Sequence, residues 1–258
     1  MSVPQFRHSE FIETPLLKLL RDVVSNSNNV SNGIEFYGIS GYVLHSLFLR
    51  MTGAQEQKLK CICWDLATED YEYRYTRYNK WELGECSKLK DKNIVFSDLV
   101  SAVRTLKPGY SVFGGALANK QAFVDKSFNS IKAIFDNSNL VACYPREYAT
   151  YLDVINQFDL NNIEAGNQLF RSSDNLTLEN MTADTVIAAT YSLLYKHRNR
   201  CAHNTLSYQN NIPTFQELNN EKVQRYYNIF LFITILIVID SLFIQVYKKY
   251  RDVLSRFY

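Results

Sequence analysis

Histidine and arginine are concentrated in one short segment of the sequence, between Lys196 and His203. The chain contains four histidines, and two of them, His197 and His203, lie in this segment beside Arg198 and Arg200. An imidazole can take the proton from a ribose 2′-hydroxyl or supply one to the leaving oxygen. A guanidinium can hold phosphate oxygens as negative charge builds in the transition state. The segment therefore combines the residue types that cleavage of a phosphodiester bond requires.

The same residues have an alternative interpretation as the solvated, basic end of a helix. Lys, Arg and His near a helix C-terminus interact favourably with the helix macrodipole without any catalytic role. Within the segment, His197 either lines a substrate groove or packs inside the fold. Lys196 and Arg200 either contact phosphates or form a solvated face, and Cys201 is expected to be a small buried filler. The residues by themselves leave both interpretations open.

A known motif is similar to part of this segment. The pattern Arg198-Asn199-x-x-x-His203 resembles the Arg-(Asn/Asp/His)-x-x-x-His signature of HEPN domains, the helical domains of many RNA-cleaving toxins and phage-defence effectors. Its surroundings are similar as well, because the motif ends an apolar helix, Ala202 precedes the histidine and a long apolar helix follows. The resemblance extends over roughly residues 180–255.

The resemblance implies a metal-independent endoribonuclease that leaves a 2′,3′-cyclic phosphate and a 5′-hydroxyl, with no cofactor and no metal ligands. By position, Arg198 would contact the scissile phosphate, His203 would act in acid–base catalysis and Asn199 would orient them. Asn204 departs from the family, which often has glycine after the histidine. The further candidates, for substrate binding, are Lys196, His197 and Arg200.

The resemblance also implies partners. It predicts an RNA substrate and a homodimer in which two copies of the motif form one composite site. A toxin or anti-phage defence effector must be silent in a healthy cell, so we expect an antitoxin or another regulatory protein. The alternative from a different class is a non-catalytic HEPN-like dimerisation or binding module, in which Arg198 and His203 only organise an interface.

Helices must position this segment. Gly (9) and Pro (5) are scarce for 258 residues, which disfavours the many tight turns of an all-β fold. We therefore predict an all-α fold, a HEPN-like helical bundle with additional N-terminal helices. The stretch 58–78 fits either a helix or a strand. Helices are predicted over 14–25, 37–52 (ending near Gly53), 95–106, 118–136, part of 152–158, from 182 into the basic segment, and 219–255.

Nothing in the sequence divides the chain, because it lacks internal repeats, low-complexity tracts and linkers. We expect one α-helical domain over residues 1–258, with a HEPN-like core at about 110–258. The N-terminal helices, at about 1–109, are expected to pack on that core and to help recognise the substrate or a partner.

Composition and charge limit the location and the mode of binding. The net charge of +2 excludes RNA binding through bulk charge alone, so a local basic groove is required. Five cysteines without regular spacing are a poor disulfide framework, and the polar start is unlike a signal peptide. These features predict a cytoplasmic protein.

One segment, 229–239, is almost continuously apolar. A membrane span needs about 20 apolar residues, whereas Asp240 and Ser241 interrupt this run after eleven. We expect a buried core helix and no stable membrane insertion, with a membrane anchor at 226–244 as the alternative.

Two other groups of residues have weaker functional interpretations. Cys61 and Cys63, with Cys86 and His45, lack the two spaced ligand pairs usual in a structural zinc site, so no metal site is predicted. The aromatic and basic stretch 71–78 either stacks on RNA bases or forms a packed surface.

Overall fold

The protein is described here by a computed structural model. It describes residues 8–29, 34–80, 85–114, 117–158, 163–165, 168–171, 176, 180–182, 185–203, 215 and 219–257, with the backbone alone at 34, 35, 78–80, 117, 165 and 203. Eleven helices and one antiparallel hairpin lie within these residues, so the predicted all-α class is confirmed. The helices are α1 (Ser9–Glu13), α2 (Leu16–Asn28), α3 (Ile34–Glu69), α4 (Tyr71–Lys80), α5 (Leu89–Leu106), α6 (Leu117–Asp136), α7 (Asn139–Cys143), α8 (Pro145–Ile155), α9 (Val186–His203), α10 (Glu221–Tyr226) and α11 (Ile229–Leu254), and the strands are β1 (Ile163–Ala165) and β2 (Gln168–Phe170).

Helix α3 is longer than the sequence predicts. The predicted end near Gly53 is wrong, because α3 continues without interruption for 36 residues. Glycine inside a helix costs roughly 0.5–1 kcal/mol relative to alanine, and buried side chains on either side of it, such as Met51 and Leu59, offset that cost. The ambiguous stretch 58–78 is helical. It breaks at Asp70, whose carboxylate accepts a hydrogen bond from the Tyr73 N–H at 3.0 Å and so caps α4.

The predicted helix over 219–255 is two helices. The break lies at Tyr227 and Asn228, between α10 and α11. The Asn228 side-chain oxygen accepts hydrogen bonds from the N–H groups of Phe230 at 3.0 Å and Leu231 at 3.3 Å, and its amide donates to the Glu147 carbonyl at 2.6 Å. Asn228 thus caps the N-terminus of α11 and holds it against α8. The polar sequence around Pro213 predicts a loop before this helix, and that stretch lies outside the described residues.

Helix α11 lies at the centre of the core. Its buried residues run from Phe230 to Leu254, and they form one hydrophobic cluster with residues of α2, α3, α5 and α9. Helices from both sides of the proposed boundary at residue 110 therefore share this core. Among the described helices, α11 alone is long and apolar enough to cross a membrane, with a mean hydropathy of 2.6 over 18 residues, 78% of which are buried in the fold. That burial favours the core-helix interpretation.

One carboxylate inside this core joins three helices. Asp240 of α11 is 2% exposed and pairs with the ammonium group of Lys58 of α3 at 2.7 Å. Its second oxygen accepts a hydrogen bond from the backbone N–H of Leu16, the first residue of α2, at 2.7 Å. A buried carboxylate needs such partners to offset its lost hydration. Asp240 therefore fixes how α2, α3 and α11 lie against one another.

Candidate functional site

The guanidinium of Arg198 is held by two partners at the C-terminal end of α9. Its Nη2 donates to the Glu56 carboxylate of α3 at 3.2 Å, and its Nη1 donates to the Asn199 side-chain oxygen, also at 3.2 Å. The Arg198 side chain keeps 27% of its surface exposed, whereas Glu56 keeps 12%. The contact between α3 and α9 thus orients a partly accessible cation. Two positions of the motif, Arg198 and Asn199, are thus hydrogen-bonded to each other.

A second cation lies beneath this pair. Lys92 of α5 is 1% exposed, and its ammonium lies 5.9 Å from the centre of the Tyr191 ring. Burial lowers the pKa of Lys92 to about 8, the nearby Glu56 carboxylate acts in the opposite direction, and the Arg198 cation adds to the lowering. Glu56 is therefore a counter-charge for both cations. Lys60 is one turn further along α3. Its hydrogen bond to Glu85 raises its pKa, and the Glu56 charge adds a smaller effect in the same direction.

His197 is packed inside the fold. Its side chain is 7% exposed, and its ring lies 5.1 Å from that of Phe48 and 5.5 Å from that of Phe232, between ring centres. Its Nδ1 is hydrogen-bonded to the Tyr227 hydroxyl. Burial lowers the pKa of His197 to about 3, with smaller effects from His45 and Arg200. Because a neutral, enclosed imidazole cannot reach a bound RNA, the placement of His197 among the substrate-binding residues is corrected to the packed interpretation.

Arg200 is half-buried and Lys196 is exposed, in contrast to the buried His197. The Arg200 guanidinium lies over the Tyr227 ring, 5.0 Å from its centre, in a cation–π contact. Lys196 is exposed on the side of α9 away from the core. Both cations are near Arg198 in the chain and contribute positive charge to the end of α9. Their contact with phosphates stays a prediction.

His203 is the last residue of α9, and its side chain lies outside the described residues. The helical backbone fixes its relation to the other motif positions. Asn199 and His203 are four residues apart, so they share one face of the helix. Arg198 and His203 are five residues apart, which corresponds to about 7.5 Å along the helix axis. The motif thus occupies the last turn and a half of α9.

Three further side chains bring metal-ligand atoms together beside the motif. His45 of α3 and His197 and Cys201 of α9 place their ring nitrogens and sulfur within 4.8 Å of one another. The nitrogen and sulfur of His197 and Cys201 are 3.5 Å apart. The grouping considered in the sequence, Cys61 and Cys63 with Cys86, does not form such a cluster among the described residues.

Sequence reasoning missed the residues that other helices contribute to this site. Glu56 is separated from Arg198 by 142 positions, Lys92 comes from α5 and Tyr227 from the break before α11. Each belongs to a stretch without any recognisable motif. The one available signal was charge, because a partly buried arginine requires an acidic partner somewhere in the fold.

In the stretch 71–78, Tyr71 is exposed, with its ring 5.4 Å from the Arg74 guanidinium. Tyr73 packs against the core. Arg77 forms a bidentate ion pair with Asp98, in which Nε donates to Oδ2 at 2.8 Å and Nη2 donates to Oδ1 at 2.5 Å. These contacts favour a packed surface over an RNA-stacking platform.

No protein-family model matches the chain, and no significant match was found among curated proteins or solved structures. The interpretation of the site therefore depends on the residues of α9 and their contacts.

Proposed function

We propose that this protein is a metal-independent endoribonuclease of the HEPN type that acts as a toxin or an anti-phage defence effector. The observation that carries the proposal is the arrangement of Arg198, which Glu56 and Asn199 orient while more than a quarter of its side chain stays exposed. His203 follows one turn after Asn199 on the same helix. Transfer of a phosphoryl group to a 2′-oxygen requires an oriented cation and a group that transfers protons, and the end of α9 contains both residue types.

In the proposed reaction the ribose 2′-oxygen attacks the adjacent phosphorus and loses its proton to a base. The bond from phosphorus to the 5′-oxygen breaks, and that oxygen receives a proton from an acid. The products are a 2′,3′-cyclic phosphate and a 5′-hydroxyl, with no net change in protons. Arg198 stabilises the charge on the non-bridging oxygens, and His203 carries out one of the proton transfers.

A complete site of this kind needs two groups that transfer protons, one on each side of the phosphorus. One copy of the motif has a single histidine in the required position, His203. We therefore propose a homodimer in which two copies of α9 face each other across the RNA, so that each supplies one His203 and one Arg198. An antitoxin or another regulatory protein would restrain this activity by covering the exposed end of α9.

One observation favours a second candidate, a non-catalytic dimerisation or binding module. The ion pair with Glu56 already satisfies part of the Arg198 guanidinium, as expected of a purely structural arginine. In that case Arg198 would hold α9 against α3, and α9 would present Lys196 and Arg200 to a partner.

The experiment compares the purified wild-type protein with His203→Ala and Arg198→Ala on RNA in the presence of EDTA. We expect the wild type to cut RNA, and each variant to lose roughly 10²–10⁴-fold in rate, the usual contribution of a general acid–base or of an oriented charge. An RNA with a single 2′-deoxy substitution at the cut site should resist cleavage. Matched controls are His8→Ala and the exposed Arg146→Ala, which should retain full activity.

Glu56→Gln separates the two candidates further. The amide retains the shape of the carboxylate but loses its charge, so Arg198 is held less firmly while the local positive charge rises. Because Glu56 acts by positioning Arg198, Glu56→Gln should lower kcat. The KM for RNA should stay the same or decrease, since the local positive charge rises. If the wild type cuts no class of RNA while it still forms a dimer, the binding module becomes the correct description.

A further inference from the structure

Three potential metal ligands meet where α3 packs against α9. We refer to His45, His197 and Cys201 as the His–His–Cys cluster; their ligand atoms all lie within 4.8 Å of one another. Two of the three come from one helix, since His197 and Cys201 are four residues apart and share one face of α9. His45 completes the group from the facing helix. Among the described residues, this is the one set of three His, Cys, Asp or Glu side chains with such a spacing.

The distances within the cluster fit a tetrahedral metal ion. With Zn–N bonds of 2.0–2.1 Å and a Zn–S bond of 2.3 Å, a nitrogen and a sulfur on one tetrahedral ion are about 3.6 Å apart. The Nε2 of His197 and the Sγ of Cys201 are 3.5 Å apart. That edge of the tetrahedron is already in place. The remaining edges, at most 4.8 Å long, have to shorten by about 1.5 Å at most. The exposed side chain of His45 can contribute to that movement by rotation.

The hydrogen bonds of the two histidines direct Nε2 of each ring to the cluster, and for His45 they also fix the tautomer. Nδ1 of His45 lies 2.7 Å from the Gly41 carbonyl oxygen, which can only accept, so the proton is on Nδ1 and the lone pair is on Nε2. Nδ1 of His197 is bonded to the Tyr227 hydroxyl, and its Nε2 faces Cys201. Metal-binding histidines are held in this way, with one nitrogen on the metal and the other fixed by a carbonyl or another polar group.

We propose that His45, His197 and Cys201 bind a Zn²⁺ ion through two imidazole nitrogens and one thiolate, with the fourth position open to water or another small ligand. On binding, the Cys201 thiol transfers its proton to solvent and its sulfur bonds to the metal. Imidazole and thiolate ligands in a tetrahedral arrangement suit Zn²⁺. His45 is exposed, which provides the path by which the ion enters.

The charge around the cluster is compatible with a bound cation. Burial raises the pKa of the Cys201 thiol, and the Arg200 cation acts in the opposite direction. A coordinated Zn²⁺ deprotonates a thiol outright, so it overcomes this effect of burial. The bound state adds a dication and one thiolate charge beside the Arg200 cation. The thiolate charge offsets part of the repulsion between the ion and the Arg200 cation.

A metal at this position would join α3 to the last turn of α9. Cys201 lies between Asn199 and His203, so the ion would hold the motif segment against α3 in addition to the Arg198–Glu56 pair. The inference does not depend on the proposed ribonuclease activity, because metal binding is measured directly and the ion takes no part in the proposed cleavage.

The test is a titration of the purified full-length protein with Co²⁺ as a spectroscopic substitute for Zn²⁺, after treatment with a chelator. We expect one equivalent of Co²⁺ to produce a near-ultraviolet charge-transfer band from a cobalt–thiolate bond, together with visible bands of tetrahedral intensity. One equivalent of Zn²⁺ should abolish both. Cys201→Ser should lose the charge-transfer band, and His45→Gln should weaken Zn²⁺ binding at least tenfold. The matched control Cys143→Ser, another half-buried thiol, should behave as the wild type.

His45 is on the surface, so His45→Gln keeps the test valid even where changes at Cys201 disturb folding; circular dichroism verifies that each variant is helical. The proposal is overturned if the wild type gives no cobalt–thiolate band, or if Cys201→Ser retains it. Equal Zn²⁺ affinity in His45→Gln and the wild type would also overturn it. None of these results depends on whether the protein cleaves RNA, so the two proposals can fail separately.

Discussion

The buried ammonium group of Lys92 should make the protein less stable at neutral pH than it would be with an apolar residue there. Its pKa falls from the usual 10.5 to about 8 because of burial. A depression of that size costs the folded state roughly 3 kcal/mol while the group is charged. In Lys92→Met this cost disappears, whereas the cation–π contact with Tyr191, worth about 0.5–1 kcal/mol, is lost. Glu56 keeps Arg198 as its partner. We therefore expect Lys92→Met to gain roughly 2–3 kcal/mol at pH 7.

The gain should depend on pH with a definite sign. Below pH 8, Lys92 carries its proton in both the folded and the unfolded state, and the full cost of burial is present. Between pH 8 and 10.5 the unfolded state holds this proton and the folded state does not. The free energy of unfolding of the wild type then rises by up to about 1.4 kcal/mol per pH unit relative to the variant. The advantage of Lys92→Met should therefore shrink across this window and vanish near its upper end.

The measurement is denaturant unfolding of both proteins at pH 7, 8, 9 and 10, followed by helical circular dichroism. Lys90→Met is the matched control, because Lys90 is on the exposed side of the same helix and should change the stability little at any pH. If Lys92→Met unfolds at lower denaturant than the wild type at pH 7, the ammonium is stabilised by Glu56 more than burial penalises it. A gain that is the same at pH 7 and pH 10 would show that it has another origin, such as better packing.

Three further predictions concern the fold, each measured by denaturant unfolding. Asn228→Ala should cost about 1 kcal/mol through loss of the cap of α11, and Asn228→Ser should recover most of it. Asp240→Asn should cost about 3–5 kcal/mol because it leaves the Lys58 ammonium buried without a carboxylate. Adding Lys58→Met to the same chain should restore most of this loss. If the free-energy losses of the two single variants simply added in the double variant, that result would contradict the prediction. Asp98→Ala should cost about 1 kcal/mol by breaking the partly exposed pair with Arg77, a difference that high salt should reduce.

The helices were predictable where one face is clearly apolar. The predictions over 95–106 and 118–136 correspond to α5 and α6, because their buried residues recur at helical spacing. The end of α3 was missed because a glycine is a weak signal once tertiary contacts surround it. The break at Asn228 had a visible signal, since asparagine directly before an apolar run is a preferred cap. The hairpin also had one, since Gly166-Asn167 separates two short segments and is typical of a two-residue turn.

The candidate site was predictable only along α9. Arg198 and Asn199 are neighbours in the chain, so their contact follows from helix geometry. Glu56 and His45 reach the site because α3 crosses α9, and a crossing depends on the packing of both helices against α11. No single-sequence pattern encodes which turn of α3 faces which turn of α9. The same limit applies to His197, whose packed position depends on Phe48 from α3 and Phe232 from α11.

The position of Asp240 has a consequence for synthesis of the protein on the ribosome. The carboxylate that joins α2 to α3 belongs to the last long helix, and its partners precede it by 224 and 182 residues. The apolar faces of the earlier helices therefore lack their main partner until α11 has emerged. Until then these faces are exposed to solvent and available to chaperones. The core should thus form only after α11 has been synthesised, and a nascent chain stalled before residue 229 should be sensitive to protease along its whole length.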